Sequence, residues 1–457
     1  MLTTQPALPE PELPGLAVVP PPDDDAVGRS ALRRASLRLL PLIGLGYGIA
    51  FMDRANISYA QLQMNQQLGF SATVFSMGAG LFFISYAALE VPSNLLLMRF
   101  GARRWLARIM FTWGLLSMGM ILVRNAPEFY AMRLLLGAAE AGFFPGVIFY
   151  LMRWFPAGYR ARAVSRFYIA YPLSSMVMGA LAGALMRQNG RWHLAGWQWL
   201  LLAEGIPAVL MSVVFLAMLP DEPRKAAWLT EPERSWILRK LREEEEAAQH
   251  DADSTGGAMR EPRVWAMGAF NFCILLASYA YIFSAPPLVQ QVTGWPVSKV
   301  GYALAVIGAL GAVSMWVNGH HSDSTGERRW HIALPLALMT AAYIAVGVSA
   351  RAVIVLPALA LMLTMFTAIL GPIWTIPPQF LRGRGAAAGI ATINMIGMPG
   401  GFLGPIWMGR WRDATGNFRM GMLTMAVPAL AAMVLILAIL HSLEKRQRRV
   451  SSGDATP

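Results

Sequence analysis

Charge is what this sequence has least of: Asp, Glu, Lys and Arg make up 14 % of it, against roughly 25 % in an ordinary soluble domain. So few charged residues cannot clothe a soluble chain of this length, and a mainly water-facing exterior is excluded. Cysteine is almost absent. Cys273 stands alone, which excludes an intramolecular disulfide and leaves the redox compartment unread. Short segments of alternating polarity are missing, and with them the case for a membrane β-barrel. No secretory signal is read at the start. Residues 1–28 are instead rich in Pro and acids, as in Pro20-Pro21-Pro22-Asp23-Asp24-Asp25, a composition that reads as disordered. No nucleotide loop, metal-ligand cluster or nucleophile–base set stands out. Neither an enzyme, a cofactor nor a metal is expected. His320 and His321 lack a Cys or acidic cluster beside them and read as loop residues.

What is present is apolar. Such residues make up 56 % of the chain. They recur between Leu39 and His441 in runs of about 18 residues or more, the length a bilayer-spanning helix needs. Twelve spans follow, at about 38–60, 74–98, 104–123, 127–151, 163–186, 197–219, 264–290, 299–319, 331–350, 353–378, 385–409 and 419–441. The fold class is an all-α membrane protein with twelve transmembrane helices in two six-helix bundles. A disordered tail takes residues 1–37, the first bundle 38–219, a middle loop 220–263, the second bundle 264–441 and a final tail 442–457. Within the middle loop, the charged amphipathic stretch Glu231 to Glu246 predicts a surface helix.

The net charge of +12 does not point to nucleic acid. Its basic residues sit in short loops on alternating sides of a bilayer, roughly 28 on one side against 8 on the other, which predicts cytoplasmic termini and a plasma-membrane protein, inner membrane in a Gram-negative cell.

The halves repeat two signals. Gly101-Ala-Arg103-Arg104 follows the second span, and Gly326-Glu-Arg328-Arg329 follows the eighth. Pro156-x-x-x-Arg160-x-Arg162 precedes the fifth, and Pro378-x-x-x-Arg382-x-Arg384 precedes the eleventh. Parallel six-helix repeats predict a site between the halves at mid-membrane. Gly179-x-x-x-Gly183 in the fifth span, with Gly397, Gly400, Gly401 and Gly404 in the eleventh, predicts close helix packing.

Several motifs carry a family resemblance. They are Phe51-Met52-Asp53-Arg54-Ala55-Asn56, Glu90-Val91-Pro92-Ser93-Asn94, Arg133-Leu-Leu-Leu-Gly137-Ala-Ala-Glu140-Ala-Gly142-Phe-Phe-Pro145, Trp154-Phe155-Pro156 and Leu219-Pro220-Asp221 with Trp228-Leu229-Thr230. Over about residues 38–445 the chain resembles the major facilitator superfamily, and within it the anion:cation symporters of the tartrate, phthalate and hydroxyphenylacetate type. That resemblance implies import of a small organic anion by proton symport with alternating access, in a monomer that binds no nucleic acid. Sodium is the alternative coupling ion. Arg54 would hold substrate, Arg133 would help or gate, and Asp53 and Glu140 would carry protons. The sequence departs from the superfamily pattern at the loop after the second span, where the usual acid is missing. It also lacks the fifth-span signature of antiporters, which speaks against the competing reading of an efflux antiporter. A transporter-like nutrient sensor is a third reading, without any attached signalling domain.

The residues themselves argue alongside. Asp53, Arg54, Arg133 and Glu140 lie far from span ends, where each costs about 2.5–3.5 kcal/mol on insertion scales and is functional by default. Arg133 and Glu140 are seven apart, so they share a face about 10.5 Å apart along the axis and do not pair directly. Gly137 between them is expected to leave space, and Pro145 to bend the helix. Tyr47 and Arg54 share a face of the first span. Arg54 and Arg133 fall at similar depth, where two planar forks suit a carboxylate. Burial disfavours a charged carboxyl and a nearby arginine favours it, which suits Asp53 and Glu140 to proton coupling. Tyr86, Trp374, Thr375 and Asn394 complete the expected binding set.

Overall fold

The computed structural model describes residues 24–250, 260–381 and 383–451, and no strand occurs among them. The first half contains α1 (Asp24–Leu68), α2 (Ala72–Phe100), α3 (Ala102–Gly119), α4 (Ala126–Glu140), α5 (Phe143–Met152), α6 (Ala157–Tyr168), α7 (Ala170–Leu185) and α8 (Gly196–Met218). Here α4 with α5, and α6 with α7, each make one interrupted span. The middle segment carries α9 (Glu231–His250). The second half contains α10 (Pro262–Thr293), α11 (Val297–Thr325), α12 (Arg329–Val348), α13 (Ala352–Ile373), α14 (Gly383–Thr415) and α15 (Arg419–Ser451). Eleven of these stretches are long and apolar enough to cross a membrane. The expected eleventh span, inside α14, is not counted among these eleven described stretches. It nevertheless packs along both α10 and α2, as a spanning helix of a two-half bundle would.

Three boundaries differ from expectation. Residues 24–37 are helical and continue into the first span, where a disordered tail was expected; residues 1–23 lie outside the described ones. The reason is an apolar stripe at helical spacing, Ala31, Leu32, Ala35 and Leu39, which is buried. Gly28 on the same stripe lies against the Trp236 indole of α9. His320 and His321 belong to the last turns of α11 rather than to a loop. His321 Nδ1 lies 2.6 Å from His331 Nε2, and His331 Nδ1 lies 2.7 Å from Glu327 Oε2. The final helix also runs on to Ser451.

The predicted surface helix is α9, and it is clasped to α1. Glu233 accepts the Thr230 N–H at 2.9 Å, one side of a capping box, and also takes the Ser30 hydroxyl at 2.6 Å and Arg34 Nη1 at 3.1 Å. Burial opposes the Glu233 charge, but the hydrogen bonds from Ser30 and Thr230 and the charge of Arg34 outweigh it and hold the carboxyl below its usual range. A depressed carboxyl value means stability present at neutral pH and lost as pH falls through that value. Glu233→Ala should therefore free α9 at pH 7, read as faster proteolysis within the middle segment.

The turn before α3 needs glycine, since Gly101 has φ +87° and any Cβ there would sit 2.8 Å from Asp221 Oδ1. Asp221 accepts the Arg103 N–H at 2.8 Å. An acid from the middle segment thus stands where the loop itself lacks one. Gly326, at the repeated turn, also has positive φ. Arg382 of the second repeat lies outside the described residues.

The halves meet along α7 with α11, α2 with α14 and α1 with α10. Gly179 and Gly183 face the start of α11, and Gly409 faces Ala72 and Ser76 at the start of α2. Asp413 of α14 accepts the Ala72 N–H at 3.0 Å and the Thr73 N–H at 2.7 Å. Gln61 donates to Phe283 O at 2.6 Å. These contacts close the bundle at the end opposite α9. A Cβ on Gly179 would lie 2.6 Å from Ala305 N. Gly179→Leu should destabilise this closed end by about 1–3 kcal/mol, seen as a lower melting temperature of the purified protein.

Candidate functional site

Glu140 is the last residue of α4, and the chain breaks directly after it. Pro145 has no N–H to give the Ala141 carbonyl, four residues back. Ser93 of α2 gives its hydroxyl hydrogen to that carbonyl instead, at 2.6 Å. The break itself falls at Gly142, with φ +84°, three residues before the expected bend at Pro145. Gly137 leaves no vacant space. A Cβ there would lie 2.2 Å from Phe82 O and 2.4 Å from Ser85 Oγ, so the glycine brings α2 against α4. The expected gap is therefore filled by α2 backbone.

Around this junction the four mid-membrane charges gather. Arg54 Nη2 lies 2.5 Å from Glu140 Oε1, with the Arg54 side chain 13 % exposed and that of Glu140 fully buried. The Arg54 guanidinium also sits 4.9 Å from the Tyr86 ring centre and 5.6 Å from that of Phe82. Tyr279 of α10 faces it from the other half, packed on Phe83 at 4.5 Å between ring centres. Arg54 is thus both ion-paired within the first half and presented to the second.

Arg133 is placed differently. It is 1 % exposed. Its Nε and Nη2 reach the Gly78 and Ala79 carbonyls at 3.3 and 3.4 Å, and its guanidinium lies 4.9 Å from the Phe82 ring centre. The Phe82 ring is thus near both guanidiniums, and Arg133 is turned into α2 rather than toward open space. Asp53 points away from its sequence neighbour. Its Oδ1 accepts the Ser117 hydroxyl at 2.5 Å and Asn56 Nδ2 at 3.3 Å, while Oδ2 has no hydrogen-bond partner among the described residues.

Tyr47 is buried among Phe144, Phe167 and Tyr168. Tyr86 stacks on Phe82 beside Arg54. Trp374 and Thr375 follow the end of α13, where the Thr375 hydroxyl donates to Pro372 O at 2.7 Å, and Asn394 is half-buried in α14. Among the described residues none of these three forms a hydrogen bond, ion pair or ring contact with Arg54. No group of three or more His, Cys, Asp or Glu able to hold a metal occurs among the described residues.

Two residues escaped the sequence reasoning. Tyr279 carries no signal beyond being aromatic in a span. Glu204 does: it is an acid inside the apolar α8, the same criterion that singled out Glu140. It is 1 % exposed, and neither carboxyl oxygen has a hydrogen-bond partner among the described residues.

Two six-span halves that meet beside a buried Arg54–Glu140 ion pair, with Asp53 and Arg133 close by, define a multi-pass membrane transporter. The Major Facilitator Superfamily model matches residues 43–405, and the chain belongs to that family. A protein of Agrobacterium vitis named "Putative tartrate transporter" is 44 % identical over 415 residues, covering 91 % of this chain and 92 % of that one. The "Quinolone resistance transporter" of Acinetobacter baumannii is 34 % identical, covering 92 % and 97 % of the two chains. The fold also matches the crystal structure of a bacterial homologue of the human lysosomal transporter Spinster, inward-facing and unoccupied, with a TM-score of 0.74 and 16 % identity over 90 % of this chain and 98 % of that one. These relatives are named as transporters, and the family is not one of enzymes.

Proposed function

We propose that this chain imports a small organic anion of the tartrate class together with protons, by alternating access. The observation that carries this reading is the Arg54–Glu140 pair at the junction of the halves. A guanidinium fork serves one carboxylate bidentately. Glu140 and a substrate carboxylate therefore compete for Arg54, and a proton on Glu140 frees the fork. Substrate and proton then enter together because each makes room for the other. Arg133 holds α2 against α4 behind this pair, and Tyr86 and Tyr279 offer hydroxyls to the hydroxyl groups of a hydroxy acid. Trp374, Thr375 and Asn394 join the site from the second half as the halves rock. Asp53 is the second proton carrier. In this reading the working unit is a monomer. The basic loop bias supports cytoplasmic termini in a plasma or inner membrane.

Labelled tartrate taken up by proteoliposomes tests this. Accumulation that depends on an inward proton gradient is expected; accumulation that follows sodium instead would remove the proton roles.

The Acinetobacter relative favours a second reading, drug efflux. Expression in a drug-sensitive host separates the two. Unchanged quinolone susceptibility is expected, and a raised resistance would favour export.

A further inference from the structure

We propose that Glu204 is a further proton-exchanging carboxyl of the transport cycle, working beside Asp53 with Asn56 between them; this rests on the proton-coupled reading above. Asn56 lies one turn after Asp53 on α1. It gives an amide hydrogen to Asp53 Oδ1 at 3.3 Å and faces Glu204 on α8. Helices α1 and α8 pack together along this stretch.

The three mid-membrane acids differ in what holds them. Glu140 has the Arg54 cation. Asp53 has the Ser117 hydroxyl and the Asn56 amide on one oxygen. Among the described residues Glu204 has no cation, and the one polar donor turned toward it is the Asn56 amide, short of full hydrogen-bonding geometry; the second oxygen of Asp53 has no hydrogen-bond partner among them. A polar group kept for structure alone is normally hydrogen-bonded when buried. A sealed carboxylate without a cation is heavily penalised, while the neutral acid is not.

The groups facing Glu204 sharpen the point. Asp53 and Tyr59 approach it from α1. Asp53 in turn faces Ser117 and Trp113 of α3, Arg133 and Glu140 of α4, and its own neighbour Arg54. Two buried acids that face each other resist ionising together, so a proton on either lets the other ionise. The Asp53–Asn56–Glu204 row is thus a second proton-holding branch, which adjoins the Arg54–Glu140 pair through Asp53 and Arg133. A proton taken up here from water leaves to water when the halves reopen on the other side, with no other reactant required.

The test uses the full-length protein in proteoliposomes, with two readouts. One is the pH-dependent infrared band of protonated carboxyl groups. The other is labelled tartrate accumulation under a proton gradient, compared with counterflow. Glu204→Gln should remove one titrating carboxyl band and lower accumulation by about tenfold or more, with a smaller fall in counterflow. Glu204→Asp should keep the band and part of the accumulation, which a purely structural role would not require. A Glu204→Gln protein with the full set of titrating bands overturns the proposal. Should the wild type accumulate no tartrate under any gradient, the proposed function fails, and the infrared comparison alone decides whether Glu204 exchanges protons.

Discussion

Arg54→Ala should abolish measurable uptake, with a loss of at least ~100-fold, because two charge-assisted hydrogen bonds to a carboxylate together are worth about 3 kcal/mol or more. The structure adds a consequence that reaches beyond substrate. Arg54 is the ion-pair partner of the fully buried Glu140. Removing one member of a buried pair costs about 3–5 kcal/mol when the other stays charged. The variant should therefore melt earlier than the wild type, and Arg54→Ala combined with Glu140→Gln should recover much of that stability without recovering uptake. This separates a binding role from a packing role. Arg54→Lys, which keeps the charge and loses the fork, should bind weakly and melt close to the wild type. Normal substrate affinity in Arg54→Ala would sink the assignment.

Glu140→Gln carries the second large effect. A neutral side chain of nearly the same shape stands permanently in the place of the protonated acid. Arg54 is then always available, so substrate binding and counterflow exchange should persist, with equal or higher affinity. Accumulation against a gradient should disappear, since substrate then binds without the proton that wild-type Glu140 must take up first. The affinity of the wild type should fall as pH rises, because the ionised Glu140 competes for Arg54; the affinity of Glu140→Gln should lose that dependence. Binding measured across pH in both proteins reads this directly. Unaltered accumulation in the variant would remove Glu140 from the coupling.

Much of this was legible before any coordinates. Span positions came from the length of apolar runs, because a bilayer imposes that length on any helix crossing it. The two repeated Gly-x-Arg-Arg turns came from chain geometry: Gly101 and Gly326 both have positive φ where the chain reverses. Arg54, Asp53, Arg133 and Glu140 stood out because charge inside an apolar span is costly. Glu204, an acid within the apolar α8, stands out by the same rule.

Partnership was not legible. Neighbours in sequence, Asp53 and Arg54 point to different helices, one to Ser117 and the other to Glu140. Arg133 and Arg54 fall at similar depth, yet only Arg54 keeps an exposed edge, because Gly137 draws α2 close enough for its carbonyls to occupy Arg133. The middle-segment clasp of Glu233 on Ser30 and Arg34 spans about two hundred residues of sequence. The sequence alone determined which residues are out of place in lipid, since hydropathy and helical period act locally along the chain. Tertiary structure decided which of them meet, since that depends on how closely the helices approach one another, and a small residue such as Gly137 sets that distance only through the α2 segment packed on it from elsewhere in the chain.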